Sequence, residues 1–332
     1  MTTRLQTLDS TKGLLLVLMT ITHIGLVINP AINNINHRWF FLFKMPGFYI
    51  ISGWLMFTSV RQHGFLRRKI DGIYKPYFAL CCAMFMIYYA LGFQTDMRGI
   101  VNVLLGFDFH LGNTSVFPAW FILNLLPAFA VCKYLIVSRS IALKAAIILL
   151  LVLIGHFPAL SNVLPFNMAP CVYSVAFMMT GYLLRVMKIE PGRRVFILPC
   201  GIFYVLSVCF FSPDMTSLDI AGNIMNTPLL TYFIATAGVF LVTGMLSYLK
   251  ETGFTAVVLR VLSQNSLYVL VLHYPVFQWL TSLTGLPEPE QVGQLALMNV
   301  FTLVVCVCIG TTLKKIDHRG IAFRPSRKKM MI

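Results

Sequence analysis

The segment LDSTKGLLLVLMTITHIGLVI, residues 8–28, is the starting point for interpreting this chain. An acid and a base, Asp9 and Lys12, stand directly before a long apolar run that holds a single ionisable residue, His23. A run of this length is sufficient for a helix that crosses a bilayer. No small-x-small cleavage site follows it, which argues against a signal peptide. The segment therefore predicts a first transmembrane helix with a histidine at membrane depth.

Similar apolar runs recur along the whole chain. Of its 332 residues, 58% are hydrophobic and 11% are charged, and the mean hydropathy is +0.80. Soluble domains carry about 25% charged residues. The runs are too long for the alternating strands of about ten residues that build membrane barrels, and they favour helices. We predict ten spans, approximately at 13–29, 39–59, 73–93, 117–137, 141–156, 168–187, 195–211, 227–249, 261–283 and 292–313.

The basic residues predict the orientation. With the N-terminus inside, 23 of the 26 Lys and Arg residues fall on the inner side, and only Arg38, Lys44 and Arg98 do not. This bias follows the positive-inside rule. We expect an all-α membrane protein, a polytopic bundle of about ten transmembrane helices with both termini cytoplasmic. Residues 1–316 would form the transmembrane domain, and 317–332 a basic tail along anionic headgroups.

Several function classes lack support in the sequence. Topology explains the net charge of +15, and no basic stripe interleaved with aromatics indicates a nucleic acid partner. The eight cysteines form no C-x-x-C pair, so neither a disulfide framework nor a zinc site is expected. Serine-hydrolase, zinc-protease, ATPase and dinucleotide motifs are missing. All eleven acids fall in predicted loops or interfaces, which counts against a proton-coupled transporter.

Lys12 and His23 have a spacing that suggests a shared role. Eleven residues are three helical turns, so the two side chains lie within ~20° of one face and roughly 16 Å apart along the axis. A cation at the rim and an imidazole at depth would suit an elongated ligand with an anionic head, such as an acyl-CoA. The alternative is a polar histidine that ties two helices together.

Other polar residues also have two interpretations. His273, in SLYVLVLHYPVFQWL, either hydrogen-bonds a neighbouring helix or belongs to a site. Lys44 either extends toward the outer surface or has a function. Ser52 and Gly53 favour close helix packing. The basic loop RQHGFLRRKIDGIYKPYF serves either topology or phosphate capture; its central cations are Arg67, Arg68 and Lys69.

The order of these motifs resembles the acyltransferase-3 family, integral membrane enzymes that acylate sugars and glycolipids. LDSTKGLLLVLMTITH carries the Asp, cation and His of the family's first helix as Asp9, Lys12 and His23. FLFKMPGFYIISGWL resembles its second helix, LRRKIDGIYKPYF its basic loop, and FMMTGYLL its Phe-x-x-x-Gly-Tyr segment. PAWFILNLL, which contains Trp120, resembles its Trp-Phe helix, and SQNSLYVLVLHYPV a late helix that ends in His273.

These matches run in order from residue 5 to about 280, and the subgroup that looks closest is the fucose 4-O-acetylase-like acetyltransferases. The sequence departs from the family at two places. Lys44 stands where the family often has His, and no further Arg occurs near Gly72. The first departure weakens a family role for that position, and the second leaves phosphate contacts to the basic triplet.

The resemblance implies an acetyl-CoA-dependent O-acetyltransferase of the bacterial inner membrane. Its acceptor would be a cell-surface polysaccharide or the lipid-linked precursor, and no metal is implied. His23 would act as general base and His273 would orient the acceptor or share the proton. Coenzyme A phosphates would be held by Lys12, Arg67, Arg68 and Lys69. Four further residues would provide substrate or structural support: Asp9, Lys44, Ser52 and Trp120.

Alternatives stay open at this stage. A non-catalytic transporter or flippase of lipid-linked sugars would have the same helical architecture and no acyl transfer. An unrelated class of membrane O-acyltransferases acts on lipids, but it would need a His with a polar partner in a central helix, whereas the candidate base lies in the first helix. Self-association into a homo-oligomer is also undecided.

Overall fold

The computed structural model describes residues 3–28, 39–90, 101, 110–111, 114–115, 120–136, 140–155, 171–220, 224–285, 292–317 and 321–323. Helices dominate this part of the chain, as apolar segments in a bilayer require, because a helix satisfies its backbone hydrogen bonds internally. The α-helices, in chain order, are α1 (Thr3–Ile28), α2 (Phe41–Met56), α3 (Phe65–Lys69), α4 (Lys75–Ala90), α5 (Trp120–Leu135), α6 (Ile141–Gly155), α7 (Cys171–Val186), α8 (Ile197–Phe210), α9 (Pro228–Leu246), α10 (Phe254–Gln264), α11 (Ser266–Thr284) and α12 (Val292–Ile316).

Shorter elements complete the architecture. A π-helical turn, Ile70–Tyr74, joins α3 to α4, and a 3₁₀ turn, Arg194–Phe196, precedes α8. Two antiparallel ladders of two residues per strand lie in connecting segments. They pair β1 (His110–Leu111) with β2 (Thr114–Ser115), and β3 (Leu218–Asp219) with β4 (Ile224–Met225).

The predicted all-α membrane class is confirmed, and each predicted span contains a helix. Within the described ranges, three helical stretches are long and apolar enough to cross a bilayer: Phe65–Ile87, Pro228–Leu246 and Val292–Ile316. A fourth is added if α10 and α11 are counted as one span. The number of ten spans and the cytoplasmic termini stay predictions. Most of the predicted tail, 318–332, lies outside the described residues.

One predicted span has the wrong form. The single helix expected over 261–283 is two helices, which end and begin on either side of Asn265. The local sequence is Ser-Gln-Asn-Ser, residues 263–266. Short polar side chains of this kind compete with helical hydrogen bonds and favour helix ends. Apolar residues on both sides hide this break from a hydropathy argument.

The chain divides into two compact units. The first, termed the N unit, comprises Met1–Met19, Pro30–His63 and Pro127–Gln264. In it, α7 packs against α2 and α6, and α9 packs against α2 and α8. The second, termed the H unit, comprises Thr20–Asn29, Gly64–Leu126 and Asn265–Ile332. Here α11 packs against α12 and also contacts α4.

Glycines bring α2 and α7 of the N unit into backbone contact. A Cβ atom at Gly53 would collide with the carbonyl oxygen of Met178, and one at Gly181 would collide with that of Ile50. Small residues allow this approach, and dispersion forces then act between the two backbones, which matters where lipid provides no hydrophobic driving force. The packing interpretation of the Ser52-Gly53 pair is therefore confirmed for Gly53.

Enlarging either glycine should separate the two helices. We expect Gly53→Ala and Gly181→Ala each to destabilise the protein by about 1–3 kcal/mol, the usual cost of overpacking. The thermal midpoint of the detergent-purified protein, followed by size-exclusion chromatography, measures this effect. Gly293→Ala is the matched control, because a Cβ at this exposed position of α12 would have no atom within 4 Å. A midpoint that is equal in all three variants would contradict this account of the α2–α7 contact.

Candidate active site

Two imidazole rings meet in the H unit. His23 of α1 and His273 of α11 have ring centroids 5.3 Å apart, and Tyr274 lies edge-on to His23 with its centroid at 6.3 Å. His273 is buried, with 1% of its surface exposed, and His23 is partly buried. The two residues that the sequence analysis proposed as catalytic thus lie side by side, although 250 positions separate them in the chain.

A backbone carbonyl determines which nitrogen of His273 carries the proton. The Nδ1 atom lies 2.7 Å from the carbonyl oxygen of Val269, one turn earlier in α11. Because a carbonyl oxygen only accepts, Nδ1–H is the donor, and in the neutral ring Nε2 keeps its lone pair. Within the described part of the chain, Nε2 is buried and has no hydrogen-bond partner. His273 therefore presents a hydrogen-bond acceptor in an apolar environment.

The first turns of α1, in the N unit, contain Asp9 and Lys12, termed the rim pair because Lys12 is predicted at the cytoplasmic rim of the membrane. Gly13 lets α1 approach the backbone of Leu259 in α10. Asp9 precedes Gly13 by four residues, and Ser263 follows Leu259 by four. The Ser263 hydroxyl donates to the carboxylate of Asp9 at 3.2 Å. Lys12 precedes the predicted span; burial lowers the pKa of its ammonium, and the negative charge of Asp9 opposes that shift. The carboxylate of Asp9 thus favours the charged form of Lys12 against the effect of burial.

The basic triplet lies at the start of a helical stretch in the H unit. Arg67 is exposed, Arg68 and Lys69 are partly buried, and the Lys69 ammonium lies 5.4 Å from the ring centroid of Phe65. The π-helical turn follows directly, and π-turns frequently occur at functional sites. Lys75 forms an ion pair of 2.9 Å with Asp71.

The proposed supporting residues lie in both units. In the N unit, Lys44 is buried, with 2% exposure, and its ammonium lies 4.7 Å from the ring centroid of Phe41. The outward-extended lysine considered above is therefore not the observed form. Ser52 is partly exposed. In the H unit, Trp120 is buried and packs edge-to-face on Phe121.

The sequence analysis missed two buried polar residues of α12, Asn299 and Thr302. Their exposures are 6% and 0%. The Asn299 Oδ1 and Thr302 Oγ1 atoms have no hydrogen-bond partner within the described ranges. Two polar residues three positions apart within an apolar span are a signal that could have identified them, since such residues are costly in a bilayer. No group of three or more His, Cys, Asp or Glu side chains in the described residues is arranged to hold a metal ion.

Comparison with known proteins places this chain in a family. The model of the acyltransferase-3 family, described as an acyltransferase domain, matches residues 5–313, which is nearly the whole chain. The match includes both histidines, the rim pair and the basic triplet. No curated protein and no solved structure shows a significant match.

The hydrogen bond to Val269 makes the tautomer of His273 a testable property. We expect ¹⁵N solid-state NMR of the histidine-labelled protein in lipid to show a neutral His273 that is protonated at Nδ1 and not at Nε2. The His273→Gln variant assigns the signal, and His63→Gln, at an exposed position, shows that a substitution elsewhere leaves it unchanged. A ring protonated at Nε2 would contradict the orientation described here.

Proposed function

The chain belongs to the acyltransferase-3 family and is a membrane acyltransferase, and we propose that it moves an acetyl group from acetyl-CoA to a sugar hydroxyl. The acceptor would be a cell-surface polysaccharide or its lipid-linked precursor, and the location the inner membrane of a bacterium. The observation that carries the proposal is the histidine pair, in which two imidazole rings lie with their centroids 5.3 Å apart. Such a site can remove a proton from a hydroxyl without bringing a permanent charge into the bilayer.

The transfer then follows ordinary acyl chemistry. His23 takes the proton of the acceptor hydroxyl while the oxygen of that hydroxyl attacks the thioester carbonyl carbon. A new C–O bond forms, and the C–S bond breaks. The electron pair of that bond leaves with the coenzyme A sulfur, which receives the proton from His23. A base with a pKa near the operating pH is suited to both steps. His273, whose Nδ1–H is already engaged by Val269, accepts a hydrogen bond from the sugar and orients it.

The cations are assigned to the other end of the donor. Coenzyme A carries phosphates, and guanidinium groups bind phosphate oxygens through paired hydrogen bonds. Arg67 is exposed and available for this contact, with Arg68 and Lys69 beside it. Lys12 contributes a charge that Asp9 maintains. In this proposal Lys44, Ser52 and Trp120 have a supporting role and do not contact the transferred group.

Removing His23 should abolish most of the transfer. We expect His23→Ala to lower the rate of acetyl transfer by about 10²–10⁴-fold, the usual contribution of a general base. The measurement uses [¹⁴C]acetyl-CoA, purified protein, and host polysaccharide that mild alkali has freed of its O-acetyl esters. His63→Ala, at an exposed histidine, is the control and should transfer normally. Full activity in His23→Ala would exclude this base, and a wild-type protein that transfers no label would favour a transporter.

The charge of Lys12 predicts a pH dependence. Because burial lowers the pKa of Lys12, its ammonium is lost as pH rises through that lowered value, and KM for acetyl-CoA should then increase. Asp9→Asn removes the carboxylate that raises this pKa, so the increase should begin at lower pH. Initial rates with varied acetyl-CoA from about pH 7 to 10 measure both curves.

Asp214→Asn is the control for this experiment, since it removes an exposed carboxylate of the same N unit and should leave the curve unchanged. Identical curves for Asp9→Asn and the wild-type protein would argue against a donor-binding role of Lys12.

A further inference from the structure

The buried face of α12 carries polar groups toward α11. Residues at intervals of three and four form a buried stripe, while the opposite side of the helix is exposed at Leu297, Val300 and Val304. The exposed side is apolar, which suits contact with lipid. The members of the buried stripe, in chain order, are Leu295, Met298, Asn299, Thr302, Cys306 and Gly310.

Contacts along the two helices fix their register. Phe277 of α11 forms a buried cluster with Leu295 and Met298 of α12. Farther along, a Cβ at Gly310 would meet the ring of Tyr268, and the Lys314 ammonium donates to the Asn265 Oδ1 atom at 2.8 Å.

Residue numbers decrease on α11 as they increase on α12, so the helices are antiparallel. Interpolation between these contacts places Thr302 level with His273 to within about one helical turn, ~5 Å. Asn299 lies about one turn earlier in α12 than Thr302, toward the cluster of Phe277, Leu295 and Met298. The buried stripe therefore brings two polar side chains to the region of the histidine pair.

Three buried polar atoms in this region share one chemical need. The Nε2 of His273, the Oδ1 of Asn299 and the Oγ1 of Thr302 have no hydrogen-bond partner within the described residues. The first two can only accept a hydrogen bond, and the hydroxyl can accept one as well. A ligand that satisfies them must therefore donate several hydrogen bonds. Neighbouring hydroxyl groups of a sugar ring do so, whereas a carboxylate or a fully ionised phosphate has no proton to donate.

We propose that Asn299 and Thr302 are positioning residues that hold the acceptor sugar against the histidine pair. Asn299 accepts a hydrogen bond from one ring hydroxyl and Thr302 from another, so that a third hydroxyl is presented to the imidazoles. This inference rests on the proposed acetyl transfer and names residues of α12 that act on the acceptor and not on the donor. It separates acceptor recognition from the cations that bind coenzyme A.

Isosteric variants test the proposal. Thr302→Val and Asn299→Leu remove the hydrogen-bonding atoms and keep the side-chain volumes close to the original. With the de-O-acetylated host polysaccharide as acceptor, we expect each variant to raise the acceptor KM by about tenfold or more. The reason is that each variant loses a hydrogen bond to a sugar hydroxyl, and such bonds contribute strongly to substrate recognition. The KM for acetyl-CoA should stay within about twofold, because donor contacts are untouched.

Two further variants exclude a merely structural effect. Thr302→Ser keeps the hydroxyl and should restore an acceptor KM close to that of the wild-type protein. Thr311→Val removes a hydroxyl from the exposed side of α12, where it donates to the carbonyl of Val307, and should change neither KM.

The outcomes separate the two proposals. An acceptor KM that rises alone supports the positioning role. A wild-type protein that transfers acetyl groups, with Thr302→Val and Asn299→Leu unchanged in acceptor KM, overturns the positioning role and leaves the proposed function intact. The same holds if both KM values and the thermal midpoint shift together, because that pattern indicates a packing defect. A wild-type protein that transfers no acetyl group overturns both proposals.

Discussion

The interior of a bilayer provides no hydrogen-bond partners, and this constraint governs every level of the molecule. Backbone groups must pair within helices, so the apolar segments of the chain are helical. Polar side chains at depth cost free energy unless the protein satisfies them, so few occur. Each one that persists therefore requires an explanation, and the histidine pair is the most demanding case because two imidazoles share one apolar environment.

Two solutions to this constraint are visible. In the N unit, Gly53 and Gly181 remove side-chain volume so that backbones pack directly, and Tyr232 satisfies its buried hydroxyl through Thr180. In the H unit, buried acceptors at His273, Asn299 and Thr302 stay without partners within the described residues. Buried hydroxyls of Tyr173 and Thr243 in the N unit also lack partners among the described residues. What distinguishes the H unit is that three such acceptors lie near the histidine pair, and this grouping indicates where a substrate would complete the set.

Polar groups at the end of α12 are also satisfied by hydrogen bonds within the protein. The carboxylate of Asp317 accepts hydrogen bonds from the backbone N–H groups of Ile321 and Ala322, and the Tyr268 hydroxyl donates to the carbonyl of Phe323. Residues 321–323 are thus attached to the H unit through Asp317 and Tyr268. This anchoring was not expected from the sequence, where the region reads as a charged tail.

Hydropathy and charge sufficed to predict the helical membrane class and a helix within each predicted span, because both depend on local composition. The short helix α3 and the first part of α10 fall in predicted loops. The spacing of Lys12 and His23 along a continuous α1 was equally accessible. The meeting of His23 with His273 was not, since helix order in space depends on packing that no local pattern encodes. The break at Asn265 was missed because apolar residues surround it. Asn299 and Thr302 were missed because isolated polar residues in a span have no motif.

The account depends on one claim, that the histidine pair is where the acyl group meets the acceptor hydroxyl. The most direct measurement is a cryo-EM structure of the full chain in lipid nanodiscs with a non-reactive ketone analogue of acetyl-CoA, in which a methylene separates sulfur from the carbonyl. The account predicts that the acetyl carbonyl of the analogue lies beside the imidazoles of His23 and His273. A carbonyl bound elsewhere, with the two rings packed only against side chains or lipid, would contradict it.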